Sequence, residues 1–288
     1  MEDCYEIFIS NGHLSRMCAL SSVDKLAEAD LHNIEISTGS VDANTLAELK
    51  KRKKSGLKFR LHNFFPNFEE NFVLNLCSPD PVIVKQSKQL INRALEWSSE
   101  LESDFYAFHA GFRINLEPFE LDGRLSKKQQ IPIDEAHARF FQEISNISLR
   151  ANSLGVKLAI ENNVYDASNL RRYGRNNPFL FCGDIESESK LPENVGMLMD
   201  VGHLNVSAKS LGFDRYKAMR RLSNSITGYH LSENKGVSDD NDHIEKKSWF
   251  FALLKPDVRH ITLEIYDSDL RSLHRDIEIT KNFFKKVV

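Results

Sequence analysis

The chain has 288 residues, of which 41% are hydrophobic and 27% are charged, with a formal net charge of −3. These values are typical of a soluble globular protein, and the length suits one α/β barrel spanning residues 1–288. The slightly acidic balance argues against a nucleic-acid partner, and no apolar run reaches the roughly 20 residues of a membrane span.

Cysteine usage and the first residues bear on the compartment. The four cysteines, at positions 4, 18, 77 and 182, are scattered without regular spacing, which in a chain of this length indicates reduced thiols. The opening "MEDCYEIFIS" is acidic and predicts a strand rather than a signal peptide. We therefore expect a cytoplasmic protein without a membrane partner, and the sequence is compatible with a homo-oligomer.

Short β-rich segments alternate with helix-prone segments along the whole chain. Strands are predicted at 6–10, 33–37, 57–62, 105–110, 156–162, 195–200, 226–232 and 260–266. Helical patterns are predicted at 22–29, 42–56, 80–101, 133–155, 214–225 and 247–255. Eight alternations predict an α/β fold of the (β/α)8 TIM-barrel type, whereas a doubly wound sheet is disfavoured because no glycine-rich loop follows the first strand.

Long segments follow the third, fourth and fifth predicted strands, at 63–81, 111–132 and 163–194. In a barrel these segments leave the C-terminal face, so we expect them to form pocket walls or lids, with "NFFPNF" as an apolar wall. The stretch "RRYGR" at 171–175 is a candidate grip for a phosphate or nucleotide, with a solvated basic run as the alternative.

Metal-ligand residue types recur where the later predicted strands end. These residues are His62, His109, Glu161, Asp200, His203, His230 and Glu264. Any one of them alone could be a hydrogen-bonded structural residue. Together they predict a divalent cation at the C-terminal mouth of the barrel, because charges in apolar surroundings are costly unless they are shared by a metal. Mn²⁺, Mg²⁺, Co²⁺ and Zn²⁺ all accept such ligands.

The motifs "AIENN", "MDVGH", "YHLSEN" and "LEIY" resemble those of the xylose-isomerase-like TIM barrels, which include sugar isomerases, sugar epimerases and type-IV AP endonucleases. The resemblance spans nearly the whole chain. It implies a metal held by Glu161, Asp200, His230 and Glu264. It also implies that Glu161 and Glu264 form the acid/base pair and that His203 binds substrate.

Other residues are candidates for contact with the substrate. They are His62, His109, Asn163, Lys235 and His243. Asn163 could instead orient the neighbouring Glu161, and exposed surface charge is the alternative for Lys235. For Glu35, inside the second predicted strand, a buried salt bridge and a substrate contact are both open.

The function predicted from these observations is a metal-dependent isomerase or epimerase of a sugar, or of its phosphate or nucleotide derivative. The reaction is a proton transfer through an enediolate, which needs a base and an electrophile on the carbonyl oxygen. A metal-dependent dehydratase of a sugar-like acid is the first alternative, because the same site could eliminate water. A barrel that binds sugar without catalysis is another.

An AP-endonuclease-like phosphodiesterase is the remaining alternative. His62, His109 and His243 are extra imidazoles of the kind that its three-metal cluster uses. However, the D-x-H motif expected before His243 has Asn241 in the place of the aspartate, so Asp240 or Asp242 would have to substitute. The acidic balance also lacks the electrostatic footprint of a DNA-binding protein.

Overall fold

A computed structural model describes residues 5–67, 72–120, 126–183 and 191–287. Eight parallel strands close into a barrel in chain order, which confirms the predicted (β/α)8 TIM barrel. The strands are β1 (Ile7–Ser10), β2 (Asn33–Ile36), β3 (Lys58–His62), β4 (Phe105–His109), β5 (Lys157–Glu161), β6 (Val195–Asp200), β7 (Ile226–Leu231) and β8 (His260–Leu263). The helices are α1 (Ala19–Glu28), α2 (Thr45–Lys54), α3 (Pro81–Glu100), α4 (Ile133–Ser153), α5 (Ala167–Tyr173), α6 (Val201–Leu211), α7 (Arg215–Leu222) and α8 (Leu273–Val287).

The strands form where short apolar runs can be covered on both faces. All six residues of β6 are buried, as expected for a parallel strand between the barrel interior and the helices. β8 is shorter than predicted and ends at Leu263. Glu264 nevertheless stays in register, because its backbone N–H donates to the carbonyl of Leu231 at 3.2 Å. Glu264 therefore lies directly above the barrel.

The helix predicted at 247–255 is wrong. The structure has only a 3₁₀ turn there, at Phe251–Leu253. Two neighbouring aromatic side chains, Phe250 and Phe251, are both buried, so they do not form the single apolar stripe of an amphipathic helix, and Pro256 follows. Helices α5, α6 and α8 were not among the predicted helices.

The lower part of the barrel interior is filled by side chains. The guanidinium of Arg60 lies 3.8 Å from the ring centroid of Phe8, and Phe105 stacks on His260 with 4.1 Å between centroids. Phe105 also belongs to a small buried apolar cluster inside the barrel with Leu198. This filling leaves polar side chains to converge at the C-terminal end.

Two observations concern membrane-spanning helices and disulfide bonds. Among the described helices, none combines the length and the apolar character required to cross a bilayer. Cys18 and Cys77 carry no disulfide bond, and Cys4 lies outside the described residues.

Candidate metal centre and active-site cavity

Four side chains meet at the top of the barrel. Ligand atoms of Glu161, Asp200, His230 and Glu264 all lie within 4.8 Å of one another. The Nδ1 of His230 is 2.9 Å from Glu264 Oε2, 3.4 Å from Glu161 Oε1 and 3.8 Å from Asp200 Oδ2. Glu161, Asp200 and His230 are fully buried, while Glu264 reaches the cavity with a side-chain exposure of 13%. The structure thus brings together the four predicted ligands.

Several of these atoms lack a hydrogen-bond partner. Both carboxylate oxygens of Glu161, Oδ2 of Asp200 and Nδ1 of His230 are buried without a hydrogen bond of acceptable geometry to any described residue. Their nearest neighbours are ionic: Glu161 Oε2 lies 3.0 Å from Nε2 of His62, and Nδ1 of His230 lies 2.9 Å from Glu264 Oε2. A divalent cation fits this donor set, because carboxylate oxygens and a neutral imidazole are ligands that Mn²⁺, Mg²⁺, Co²⁺ and Zn²⁺ accept. The residues present therefore suit the implied metal.

The charges of the four residues support the same conclusion. Burial, together with the carboxylates of Asp239, Glu161 and Glu264, raises the pKa of Asp200 to about 7. Burial also favours the neutral acid at Glu264, but His230 outweighs it and lowers the pKa to about 2. So many buried carboxylates repel one another, and a bound cation would relieve that repulsion.

Glu35 lies behind His230 as a buried salt bridge, one of the two interpretations that the sequence left open. Its Oε1 is 2.8 Å from Nε2 of His230, and its Oε2 accepts a hydrogen bond from Thr262 Oγ1 at 2.8 Å. Because Nε2 faces Glu35, Nδ1 of His230 faces the other three candidate ligands. A carboxylate in this position sets the orientation and tautomer of a ligating imidazole.

The D-x-x-H spacing of Asp200 and His203 has a local structural cause. Asp200 is the N-cap of α6, and its Oδ1 accepts the backbone N–H of His203 at 2.6 Å. Asn162 Oδ1 accepts a hydrogen bond from the backbone N–H of Asp200 at 2.8 Å, and Asn162 Nδ2 donates to the backbone carbonyl of Asp200 at 3.0 Å. One oxygen of Asp200 therefore caps a helix while the other, Oδ2, is directed at the candidate metal site.

His203 lines the cavity next to this cap. Its Nδ1 is 2.9 Å from the carbonyl oxygen of Asn162, and its Nε2 is 3.1 Å from Asp239 Oδ2. Burial lowers the pKa of His203, but Asp200 and Asp239 outweigh burial and hold that pKa well above the usual value. Both ring nitrogens of His203 therefore have a partner within the protein, which fixes the ring at the cavity wall.

The acid that reaches His203 is Asp239, which sequence reasoning missed. The two acids considered for the D-x-H motif are placed differently: Asp240 accepts a hydrogen bond from Ser238, and Asp242 is paired through its backbone with Glu233. The region before His243 showed several acids, but a loop has no periodicity that indicates which of them faces inward.

His62 and His109 also approach Glu161. Nε2 of His62 is 3.0 Å and Nδ1 of His109 is 3.4 Å from Glu161 Oε2, and the three residues form another group whose ligand atoms lie within 4.8 Å of one another. Burial opposes the ionisation of Glu161, but His109, His62 and His230 outweigh it and hold its pKa well below the usual range. Both imidazoles line the cavity, where they could contact a ligand.

Two of the predicted substrate contacts are not brought to the cavity. Lys235 is exposed and does not line it. His243 lies between two carboxylates, with Nε2 2.8 Å from Asp267 and Nδ1 2.7 Å from Asp276. This arrangement ties the loop after β7 to α8 and gives His243 a structural environment.

Asn163 borders the cavity, but its amide is used within the protein. Its Nδ2 donates to the carbonyl oxygens of Gly111 and Leu180, at 3.1 and 2.8 Å. It thereby connects the loops that follow β4 and β5.

The cavity above these residues has a volume of about 1050 Å³. The loops after β3, β4 and β5 contribute to its wall, as the long segments predicted, and Phe64 of "NFFPNF" is part of the lining. Tyr266, which the sequence reasoning did not single out, also lines the cavity and donates a hydrogen bond to Glu264 Oε1 at 2.9 Å.

Comparisons with known proteins agree with this architecture. Residues 23–286 match the model of the xylose isomerase-like TIM barrel family. A D-tagatose 3-epimerase-like protein is 20% identical with a TM-score of 0.67, and the match covers 98% of each chain. A D-psicose 3-epimerase, solved with D-fructose, is 17% identical with a TM-score of 0.62, covering 98% of this chain and 97% of the other.

A third structure is the TTHB071 protein from Thermus thermophilus, soaked with ZnCl2. It is 19% identical with a TM-score of 0.58, covering 96% of this chain and 98% of the other. No curated protein matches the sequence. The motifs, the closed barrel and the family match lead to one conclusion: the chain belongs to the xylose isomerase-like TIM barrel family.

Proposed function

We propose that this protein is a divalent-metal-dependent isomerase or epimerase that moves a proton on the carbon next to a sugar carbonyl. The observation that carries the proposal is the convergence of Glu161, Asp200, His230 and Glu264 within 4.8 Å of one another, next to a large cavity that Glu264 lines. The sugar 3-epimerases among the structural neighbours support the same class of reaction.

The residues suggest a division of roles. Glu161, Asp200, His230 and Glu264 would hold the cation, which when bound supplies a Lewis acid for a carbonyl oxygen. Glu264 faces the cavity and accepts a hydrogen bond from Tyr266, so its carboxylate is placed to take a proton from the ligand.

Glu161 lies on β5, three strands from Glu264 around the barrel, and is buried next to His62 and His109, which line the cavity. It would serve the opposite face of a ligand that reaches the cation. Transfer of a proton from carbon to one carboxylate, and return of a proton from the other, inverts that carbon through an enediolate with no net loss of atoms. His203 would contact the ligand at the cavity wall, where Asp239 holds its ring through Nε2.

The test is proton exchange with solvent. Mn²⁺-loaded protein is incubated in ²H₂O with a panel of ketoses, and incorporation of deuterium at carbon is followed by NMR. We expect incorporation with at least one ketose and a loss of about 10²–10⁴-fold in Glu264→Gln. Glu278→Gln, an exposed residue on α8, is the matched control and should retain full exchange. The absence of exchange with every ketose would contradict the proposal.

Two further measurements separate the alternatives. Release of water from the ligand would identify a dehydratase instead. A sugar-binding barrel without catalysis would be indicated by freshly purified protein that contains no bound cation.

The AP-endonuclease-like alternative is favoured by one observation, the additional group of His62, His109 and Glu161. It is disfavoured by His243, which that alternative needs near the metals but which is paired with Asp267 and Asp276. About three zinc ions per chain, together with cleavage of abasic DNA, would reverse this ranking.

We further propose that the protein acts in the cytoplasm on a small carbohydrate. The location rests on the scattered cysteines, because extracellular chains commonly use theirs in disulfides, whereas Cys18 and Cys77 are unbridged.

A further inference from the structure

A second depression lies away from the active-site cavity, where α6, the start of α7 and the segment after β7 meet. It is an open groove with a volume of about 780 Å³. Among the described residues, none lines both this groove and the active-site cavity. A ligand in the groove would therefore be bound apart from the candidate metal centre.

The groove is rich in cations. Its lining includes Lys209, Arg215, Lys235 and Lys247. The acids of the lining are Asp214 and Glu233. Asp214 is already used as the N-cap of α7, where its carboxylate accepts the backbone N–H groups of Tyr216 and Lys217. The lining therefore carries a net positive charge.

The four cations have no counterions within the described part of the chain. None of them forms an ion pair with a described carboxylate. Other exposed basic residues of this protein do form such pairs, for example Lys50 with Glu100 and Arg150 with Glu96. Like charges that line one groove without counterions repel one another, so a bound anion would stabilise them.

Arg215 is held in one orientation within this groove. Its guanidinium carbon lies 4.3 Å from the ring centroid of Trp249, and its Nη1 donates to Oδ1 of Asn205. Its Nη2 lies 3.3 Å from the hydroxyl of Tyr216. A guanidinium has five N–H donors, so most of those of Arg215 have no acceptor among the described residues. A guanidinium that is already stacked and oriented is well suited to bind two oxygens of a phosphate group.

An aromatic surface borders the cations. Tyr216 is 39% exposed, and its ring packs edge to face with Trp249 with 5.6 Å between centroids. Trp249 in turn packs against the buried ring of Phe250. Tyr216 therefore presents a supported aromatic surface next to Arg215, which suits the organic part of a phosphate ester.

The "RRYGR" stretch, considered from the sequence as a phosphate grip, does not reach the active-site cavity. Among the described residues that line that cavity, none is an arginine of this stretch. Arg171 and Arg172 are exposed in the last turn of α5, where basic side chains favour the helix end. Arg175 lies near the groove instead: its Nη2 is 3.7 Å from the position that a Cβ on Gly212 would take, and Gly212 precedes Phe213 of the groove lining.

We propose that this groove is a binding site for a phosphate group, carried by a small organic ester or present as the free anion. Arg215 binds the phosphate oxygens, and Lys209, Lys235 and Lys247 neutralise the charge. The proposal does not depend on the reaction at the metal centre, because the two sites share no lining residue.

The test measures binding of two probes, inorganic phosphate and phenyl phosphate. Each is titrated into the purified protein at low ionic strength in an isothermal titration calorimeter, and we expect one saturable site. Tighter binding of phenyl phosphate would assign the groove to an organic ester, since its ring can pack on Tyr216. Equal or weaker binding of phenyl phosphate would assign the groove to the free anion.

Three variants locate the site. Arg215→Gln should weaken binding about 10–100-fold, because it removes hydrogen bonds to a charged phosphate. Lys247→Gln leaves the stacked guanidinium in place and should weaken binding about 2–5-fold. Lys246→Gln is the matched control and should keep the wild-type affinity, because Lys246 is also exposed and carries the same charge but does not line the groove. Circular dichroism confirms that each variant is folded.

Three results would overturn the proposal. The first is that neither probe binds. The second is that binding survives both Arg215→Gln and Lys247→Gln, which would place the anion elsewhere on the protein. The third is that Lys246→Gln weakens binding as much as Lys247→Gln does, which would indicate attraction by the overall charge rather than a site.

Discussion

Glu35 offers the sharpest mutational test of the candidate metal centre, because it contacts a proposed ligand without being one. The change Glu35→Gln removes the charge that faces Nε2 of His230 at 2.8 Å, while both residues remain buried. His230 can then adopt the wrong tautomer or rotate, and its Nδ1 is no longer held toward Glu161, Asp200 and Glu264.

The expected loss follows from this geometry. Removing a carboxylate that orients a ligating histidine typically lowers metal affinity by about 10–100-fold, or roughly 1.4–2.7 kcal/mol. Thr262→Val removes only the hydroxyl that donates to Glu35 Oε2 and should cost about 1 kcal/mol, close to a fivefold weakening.

The assay is isothermal titration of Mn²⁺ into protein stripped with a chelator, with circular dichroism to confirm folding. Thr227→Val is the matched control: Thr227 lies on β7 one residue before Gly228, its hydroxyl bonds the carbonyl of Met197, and it does not contact Glu35. A folded Glu35→Gln protein that binds Mn²⁺ as tightly as the wild type would refute the role assigned to His230.

Three further predictions concern the rest of the structure. Chelator treatment should lower the midpoint of thermal unfolding by about 5–10 °C relative to protein with Mn²⁺ at 100 times its Kd. At that concentration, metal binding adds about 2.7 kcal/mol to the free energy of unfolding, and each kcal/mol shifts the midpoint of a chain of this size by roughly 2–4 °C. In His243→Gln, the loss of stability should be larger at low pH. Burial lowers the pKa of His243, but Asp267 and Asp276 outweigh burial and raise that pKa. The stabilisation from His243 is therefore complete below about pH 6.5 and is lost as the pH rises through the folded-state pKa. Asn163→Ala should reduce the free energy of unfolding by about 2 kcal/mol, since it removes two buried hydrogen bonds.

Each of these three predictions can be contradicted by a defined result. Calorimetric midpoints that do not respond to chelator would count against a cation in the buried cluster. Urea titrations at pH 6 and pH 8.5 could show the same loss of unfolding free energy for His243→Gln, or the variant could bind sugar less well at unchanged stability. Either result would indicate that His243 contacts the substrate instead. An Asn163→Ala protein of wild-type stability would indicate that Asn163 contacts the substrate rather than stabilising the loops.

The barrel and the ligand cluster were predictable because both depend on patterns that the chain displays locally. Buried parallel strands appear as short apolar runs, and the last residue of such a run must lie at the C-terminal rim. Glu161 and Asp200 end β5 and β6 in this way, and His230 lies one residue before the end of β7. The chain order of the strands then brings these residues together.

The missed elements lack such patterns. α6 is buried along most of its length, so its apolar residues do not form the one-sided stripe that indicates a helix, although Asp200 and Gly212 stand at its two ends as cap residues. Asp239 and Tyr266 lie outside the strands and helices, where neither period applies, and only the folded structure shows that they face the cavity. Glu35 was noticed as an inward residue, but its contact with His230 depends on strands far apart in the chain.

The central claim is that one divalent cation binds to four side chains at the mouth of this barrel. Anomalous diffraction at the manganese edge, from a crystal soaked in Mn²⁺, tests it most directly. The account predicts a strong peak within coordination distance of Glu161, Asp200, His230 and Glu264. A well-ordered site with no peak, or a peak that avoids these four residues, would contradict it.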